Sequence, residues 1–194
     1  MNKKILRTTI IAFFAAIICA TSFFRVPVPG IQSGIVIQNA MCVLTAVLLG
    51  GILGLCPTAL FLVAGILGLP VFAGGQGGFQ VLCNINGGFR LGWLLGALVA
   101  ALIAGIPSVQ EKKISKALVI KLSIAVLAGM LSLYIPEIFY VIAFKHAELG
   151  LGGSLKLFFT AFFFPFLLVD FIKAVFVVLI ALKVRPILAQ YLYE

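Results

Sequence analysis

Long apolar runs recur along this chain, broken by short clusters of glycine, proline and charge, and no stretch alternates apolar with polar residues as a membrane β-strand would. The runs predict an all-α integral membrane protein with six transmembrane helices at about 5–24, 35–55, 58–72, 91–106, 122–144 and 166–184, in a single domain covering 1–194. Three basic residues before the first run give it the look of a signal peptide. Its length suits a crossing, and Ile18 stands where a cleavage site favours a small residue, so the segment is expected to stay on the protein. Within it Ala12, Ala16 and Ala20 recur every fourth residue, a smooth stripe suited to close helix packing, inside the chain or against a partner.

The breaks carry their own signals. Pro27, Pro29 and Gly30 exclude helix from 25–34 and predict an outer loop. The second span opens with Gln38 and Asn39, unusual guests at a membrane edge. Cys56 and Pro57 are read as the turn into the third span. Gly92, Gly96, Ala100 and Ala104 predict a buried face on the fourth span. Pro136 should kink or end the fifth. A second outer loop is expected at 145–154, and Pro165 suits the first turn of the last helix, which then begins near Phe166.

One interruption differs from the rest. From Leu69 to Leu91 the chain reads LPVFAGGQGGFQVLCNINGGFRL, with six glycines, two asparagines, two glutamines and an arginine. Paired glycines predict tight, irregular backbone, and such backbone is tolerated near a membrane only against protein or around a cavity. Gln76, Gln80, Asn84, Asn86 and Arg90 supply donors and acceptors; Phe72, Phe79, Phe89 and Trp93 supply flat apolar walls. A flexible surface hairpin is the alternative.

Composition agrees with the pattern: 63% of the 194 residues are hydrophobic, 10% are charged, and the mean hydropathy is +1.28. The net charge of +9 is not spread as a nucleic-acid surface would need. Lys3, Lys4 and Arg7 precede the first span, Lys112, Lys113, Lys116 and Lys121 fill one break, and Lys183 and Arg185 follow the last. Nine of the 14 basic residues then lie on one side, which by the positive-inside rule puts both termini in the cytoplasm. Cys19, Cys42, Cys56 and Cys83 lack ligand spacing, and His146 is the single histidine, so neither a disulfide framework nor a metal site is expected.

Asp170 and Lys173 stand on one face of the last span. A charge placed mid-helix in a bilayer costs about 2.5–3.5 kcal/mol, which argues for a polar pocket or a partner. A mutually neutralising structural pair is the plainer reading. A proton relay would want further acidic or histidine stations, and the spans offer only Glu137. No P-loop, HExxH or GxSxG pattern occurs, so no catalytic residue is assigned and energy for transport would have to come from a gradient or another subunit.

Four segments, GLPVFAGGQGG at 68–78, NGGFRLG at 86–92, PFLLVDFIKA at 165–174 and, more weakly, PGIQSGIVIQ at 29–38, resemble the BioY family. These are biotin-specific substrate-binding (S) components of energy-coupling factor (ECF) transporters. Two features depart from the family pattern: Asn86 stands where threonine is commoner, and Leu168 and Val169 replace a small pair. The resemblance implies the S-component fold, with loops after the first, third and fifth helices roofing an outward-facing pocket. It implies biotin as ligand with no cofactor, a transmembrane coupling protein and two ATPase subunits as partners, and a bacterial cytoplasmic membrane as location. It makes Ala12, Ala16 and Ala20 the docking stripe.

Biotin offers a cyclic urea, a thioether ring and a carboxylate. Asp170 and Lys173 are the expected urea partners, with Asn84, Asn86, Gln76 and Gln38 completing the polar ring. Phe72 and Phe89 are expected over the rings, and Arg90 at the carboxylate. An S component for thiamine or riboflavin, a small membrane enzyme and a structural subunit are the competing readings. The missing nucleophile–base pair weighs against an enzyme. Arg90 weighs against a cationic vitamin.

Overall fold

The computed structural model describes residues 3–28 and 31–193. Its helices are α1 (Lys3–Ala20), α2 (Gln38–Leu49), α3 (Gly51–Ile66), α4 (Gly87–Ala104), α5 (Lys116–Ser132), α6 (Tyr134–Leu157) and α7 (Phe164–Leu192). The first expected loop is an antiparallel hairpin, β1 (Arg25–Val28) with β2 (Ile31–Val36), pairing Arg25 with Val36 and Val26 with Ile35. Pro27, which has no N–H to give a ladder, falls at the irregularity between Val26 and Val28. Of the residues that exclude helix there, 29 and 30 lie outside the described residues.

Beyond its first turn helix α2 is almost wholly apolar because it is the centre of the bundle: it packs against α1, α3, α4, α5 and α7, and all of its residues but Met41 are buried. It needs no lipid-facing length. Its 12 residues rise about 18 Å, well short of the roughly 30 Å of a hydrocarbon core. Among the described residues three regions are long and apolar enough to cross a membrane, namely Lys3–Phe23, Gly87–Ala104 and the nearly continuous helical stretch Lys116–Leu192.

Several expected boundaries are corrected. The turn between the second and third spans is at Gly50 and Gly51, both at positive φ, and not at Cys56–Pro57. There a side chain on Gly50 would meet the Gly105 carbonyl at 2.2 Å, while Pro57 is absorbed inside α3. Leu133 breaks the expected 122–144 helix into α5 and α6, and 145–154 is helical with a sharp kink at Gly150 (φ 68°, ψ 177°) in place of a loop. Helix α4 begins at Gly87 rather than Leu91. Gly87 and Gly88 are therefore helical, and their bare surface serves contact: a Cβ on Gly88 would lie 2.5 Å from the Glu137 backbone. Further along α4, Gly92 meets the Leu133 carbonyl in the same way, and Gly96 meets the Gly129 carbonyl of α5.

At the end that holds both termini, α7 runs on past Val184 and carries Arg185 into the interior, where its side chain is wholly buried. The position expected of a solvated flanking charge is instead a clamp. Arg185 donates from Nε to Glu111 at 2.7 Å, from Nη1 to the Val47 carbonyl, and from Nη2 to the carbonyls of Ala104 and Gly105 at 2.9 and 3.0 Å. It thereby satisfies carbonyls that the ends of α2 and α4 leave without helical partners. Two neighbours extend the closure: the Tyr193 hydroxyl donates to the Leu49 carbonyl at 2.7 Å, and Arg7 donates to the Leu192 carbonyl at 2.8 Å.

Candidate functional site

The opposite end of the bundle holds a cavity that opens to the surface. Its floor is polar, although it lies among helices that are almost wholly apolar. Asp170 on α7 accepts three hydrogen bonds: from Asn39 Nδ2 of α2 at 3.0 Å, from Lys173 Nζ at 2.8 Å, and from the Tyr134 hydroxyl, at the start of α6, at 2.6 Å. Lys173 donates a second bond to Asn39 Oδ1 at 3.1 Å. Asp170, Asn39 and Lys173 form a closed ring of donors and acceptors, Tyr134 joins it through Asp170, and the cluster ties three helices together. An ammonium has three N–H donors and a carboxylate about four acceptor sites, so Lys173 and Asp170 each keep capacity for a ligand.

The walls are aromatic. Phe89, Trp93 and Phe166 line the cavity, and Trp93 is held by stacking on Phe61 with ring centroids 5.7 Å apart. At the mouth stand Arg25 of β1, Gln76, Asn86 and Arg90. Arg90 occupies the first turn of α4, where it reaches back to the Asn86 carbonyl at 3.0 Å and across to Gln76 Oε1 at 2.8 Å. Its guanidinium also lies over the Phe72 ring, 5.5 Å from the centroid. Behind it Glu137, fully buried, accepts the Phe89 N–H at 2.8 Å and so caps α4 at the point where the helix turns Phe89 and Arg90 toward the cavity. The lining carries Arg25, Arg90 and Lys173 against one carboxylate, Asp170, and so an excess of positive charge.

Of the residues singled out in the sequence, Asp170, Lys173, Arg90, Asn86, Gln76 and Phe89 line the cavity, and Gln38, Phe72 and Asn84 do not. Gln38 is buried and donates to the carbonyls of Val71 at 2.7 Å and Ile18 at 3.3 Å, tying α2 to the loop and to α1. Phe72 is a core ring edge-on to Phe61, inserted where Gly65 leaves no side chain. Asn84 shapes the loop, with Nδ2 on the Val81 carbonyl at 3.1 Å and Oδ1 accepting the Asn86 N–H at 3.0 Å. Asn39, Tyr134, Phe166 and Arg25 were not chosen from the sequence. Asn39 carried a signal, being a polar residue on an apolar span beside Gln38; one residue is a turn of about 100°, and that turn separates the structural amide from the cavity amide. Tyr134 lies in an apolar run where tyrosine reads as packing. Among the described residues no cluster of His, Cys, Asp and Glu is placed to hold a metal.

The chain matches the model of the BioY family over residues 1–190. A biotin transporter BioY of Thermotoga maritima is 30% identical over 90% of this chain and 92% of the relative. A biotin transporter BioY2 of Lactococcus lactis subsp. cremoris is 32% identical over 93% and 91%. Among solved structures, the crystal structure of the S-component for biotin from an ECF-type ABC transporter superposes with a TM-score of 0.74 at 26% identity, covering 95% of this chain and 93% of that one.

Proposed function

This chain belongs to the BioY family, and we propose that it captures biotin as the substrate-binding subunit of an ECF-type transporter, with the cavity end facing outward. The observation that carries the reading is the two-ended chemistry of the cavity: a buried hydrogen-bonding ring at the floor and guanidinium groups at the mouth. A cyclic urea needs an acceptor for its N–H groups and a donor for its carbonyl, and Asp170 and Lys173 supply both. Asn39 holds both groups in place, and Tyr134 holds the carboxylate. Phe89, Trp93 and Phe166 cover the bicyclic rings, and Arg90 meets the valerate carboxylate with Gln76 and Asn86 beside it. A cationic vitamin such as thiamine would meet three cations and one carboxylate.

In this reading α1 to α5 and α7 are the six crossings, both termini and the basic segment lie in the cytoplasm, and the membrane is the bacterial cytoplasmic membrane. The protein binds and releases without chemistry, so it is no enzyme, and a coupling protein with two ATPases drives the cycle. Ala12, Ala16 and Ala20 are exposed on α1, uncovered by any other part of the described chain, as a docking stripe requires. Radiolabelled biotin retained stoichiometrically by the purified protein, unchanged on release, is the expected result. Failure to retain it, or preferential retention of thiamine or riboflavin, overturns the assignment.

A further inference from the structure

Arg25 occupies a place that the biotin reading does not use. It is the first residue of β1, it lines the cavity, and its side chain lies in a slot between two glycines from different segments. A Cβ on Gly34 of β2 would lie 3.0 Å from Arg25 Nε, and a Cβ on Gly74 of the glycine-rich loop would lie 3.2 Å from Nη1. Both glycines are at positive φ, 61° and 80°, so backbone geometry and side-chain space together keep larger residues out. The slot is fixed to the helices: the Gly74 N–H donates to the Ser22 carbonyl at 3.3 Å, directly after α1, and Arg25 pairs with Val36, directly before α2.

A guanidinium confined on two sides loses less rotamer freedom when it engages an anion than one on an open surface. Arg90 approaches the same mouth from α4, and Gln76, its hydrogen-bond partner, is two residues from Gly74 in the same loop. We propose that Arg25 is a second partner for the ligand's carboxylate, forming with Arg90 a two-guanidinium clamp that draws the hairpin and the glycine-rich loop together over a bound anion. The proposal rests on the biotin reading and specifies which end of the ligand sits at the mouth.

The test compares biotin with biotin amide, which has the same rings but no charge, on purified protein. Arg25→Gln should weaken biotin about tenfold or more, the span of a charged hydrogen bond, while leaving biotin amide within about twofold. The loss of biotin affinity with rising salt should become shallower in that variant. Arg25→Lys should restore part of the preference for the charged ligand, and Gly74→Ala, which fills the slot, should reproduce the Arg25→Gln pattern. Retained amide binding shows that the variant is folded. Equal losses for both ligands, or no loss for either, overturn the proposal and leave biotin capture standing; wild-type protein that binds neither ligand overturns both.

Discussion

Helix α7 carries two buried ionic centres, Asp170–Lys173 near one end and Arg185–Glu111 near the other, and they are built to opposite specifications. Around Arg185 every side-chain nitrogen is engaged: the side chain is 0% exposed, and Nε, Nη1 and Nη2 each donate to carbonyls or to Glu111. Around Asp170 the geometry is equally tight, but Lys173 is 13% exposed toward the cavity and retains an uncommitted N–H. Desolvation of a buried pair is offset only when the remaining donors and acceptors are satisfied. The first centre meets that condition alone and serves to hold the bundle. The second meets it partly, and the part left over is what a ligand can complete.

The comparison can be broken by substitution. Arg185→Met removes the donors shared by Glu111 and three carbonyls, and breaking such a pair costs about 3–5 kcal/mol. The melting temperature in detergent should fall steeply, while protein that remains folded binds biotin with unchanged affinity; a stable variant that had lost biotin would reverse the roles of the two centres. Asp170→Asn should cost about 1.5–3 kcal/mol of binding free energy in a calorimetric titration, with a smaller effect on melting. Tyr134→Phe keeps the ring against Phe89 and removes one donor to Asp170, and about 1 kcal/mol of biotin affinity should go with it. Gln38→Leu sharpens the contrast from the structural side. About 0.5–1.5 kcal/mol of stability should be lost with the bonds to Val71 and Ile18, and titration should show biotin affinity unmoved.

What was legible in the chain follows from which forces act locally. Lipid imposes its demand run by run, so the apolar stretches and the glycine-rich interruption could be placed from the sequence. The exact turns could not. Pro57 reads as a stop, yet α3 tolerates it, while the real turn at Gly50 is dictated by how closely α4 passes, a fact of tertiary packing. Asp170 and Lys173 stood out because charge is rare in spans, and Arg90 because it is the single charge in the glycine-rich interruption. Asn39 and Tyr134 acquire their positions only when α2, α6 and α7 meet, and no periodicity along one segment contains that. Arg185 was misjudged for the same reason: from the sequence it ends a span, and only the folded chain surrounds it with the ends of two other helices.

Because Asp170, Lys173 and Arg185 all lie on the last helix, the order of synthesis bears on assembly. Chains are made from the N-terminus, so α1 to α5 enter the membrane before α7 has left the ribosome. Until then Asn39 has no carboxylate to meet, and the carbonyls of Val47, Ala104 and Gly105 wait without the guanidinium that joins them. The final helix delivers the latch and two members of the polar ring together. A nascent chain interrupted before residue 164 would hold neither, so under the proposed function biotin could bind only once the bundle is closed.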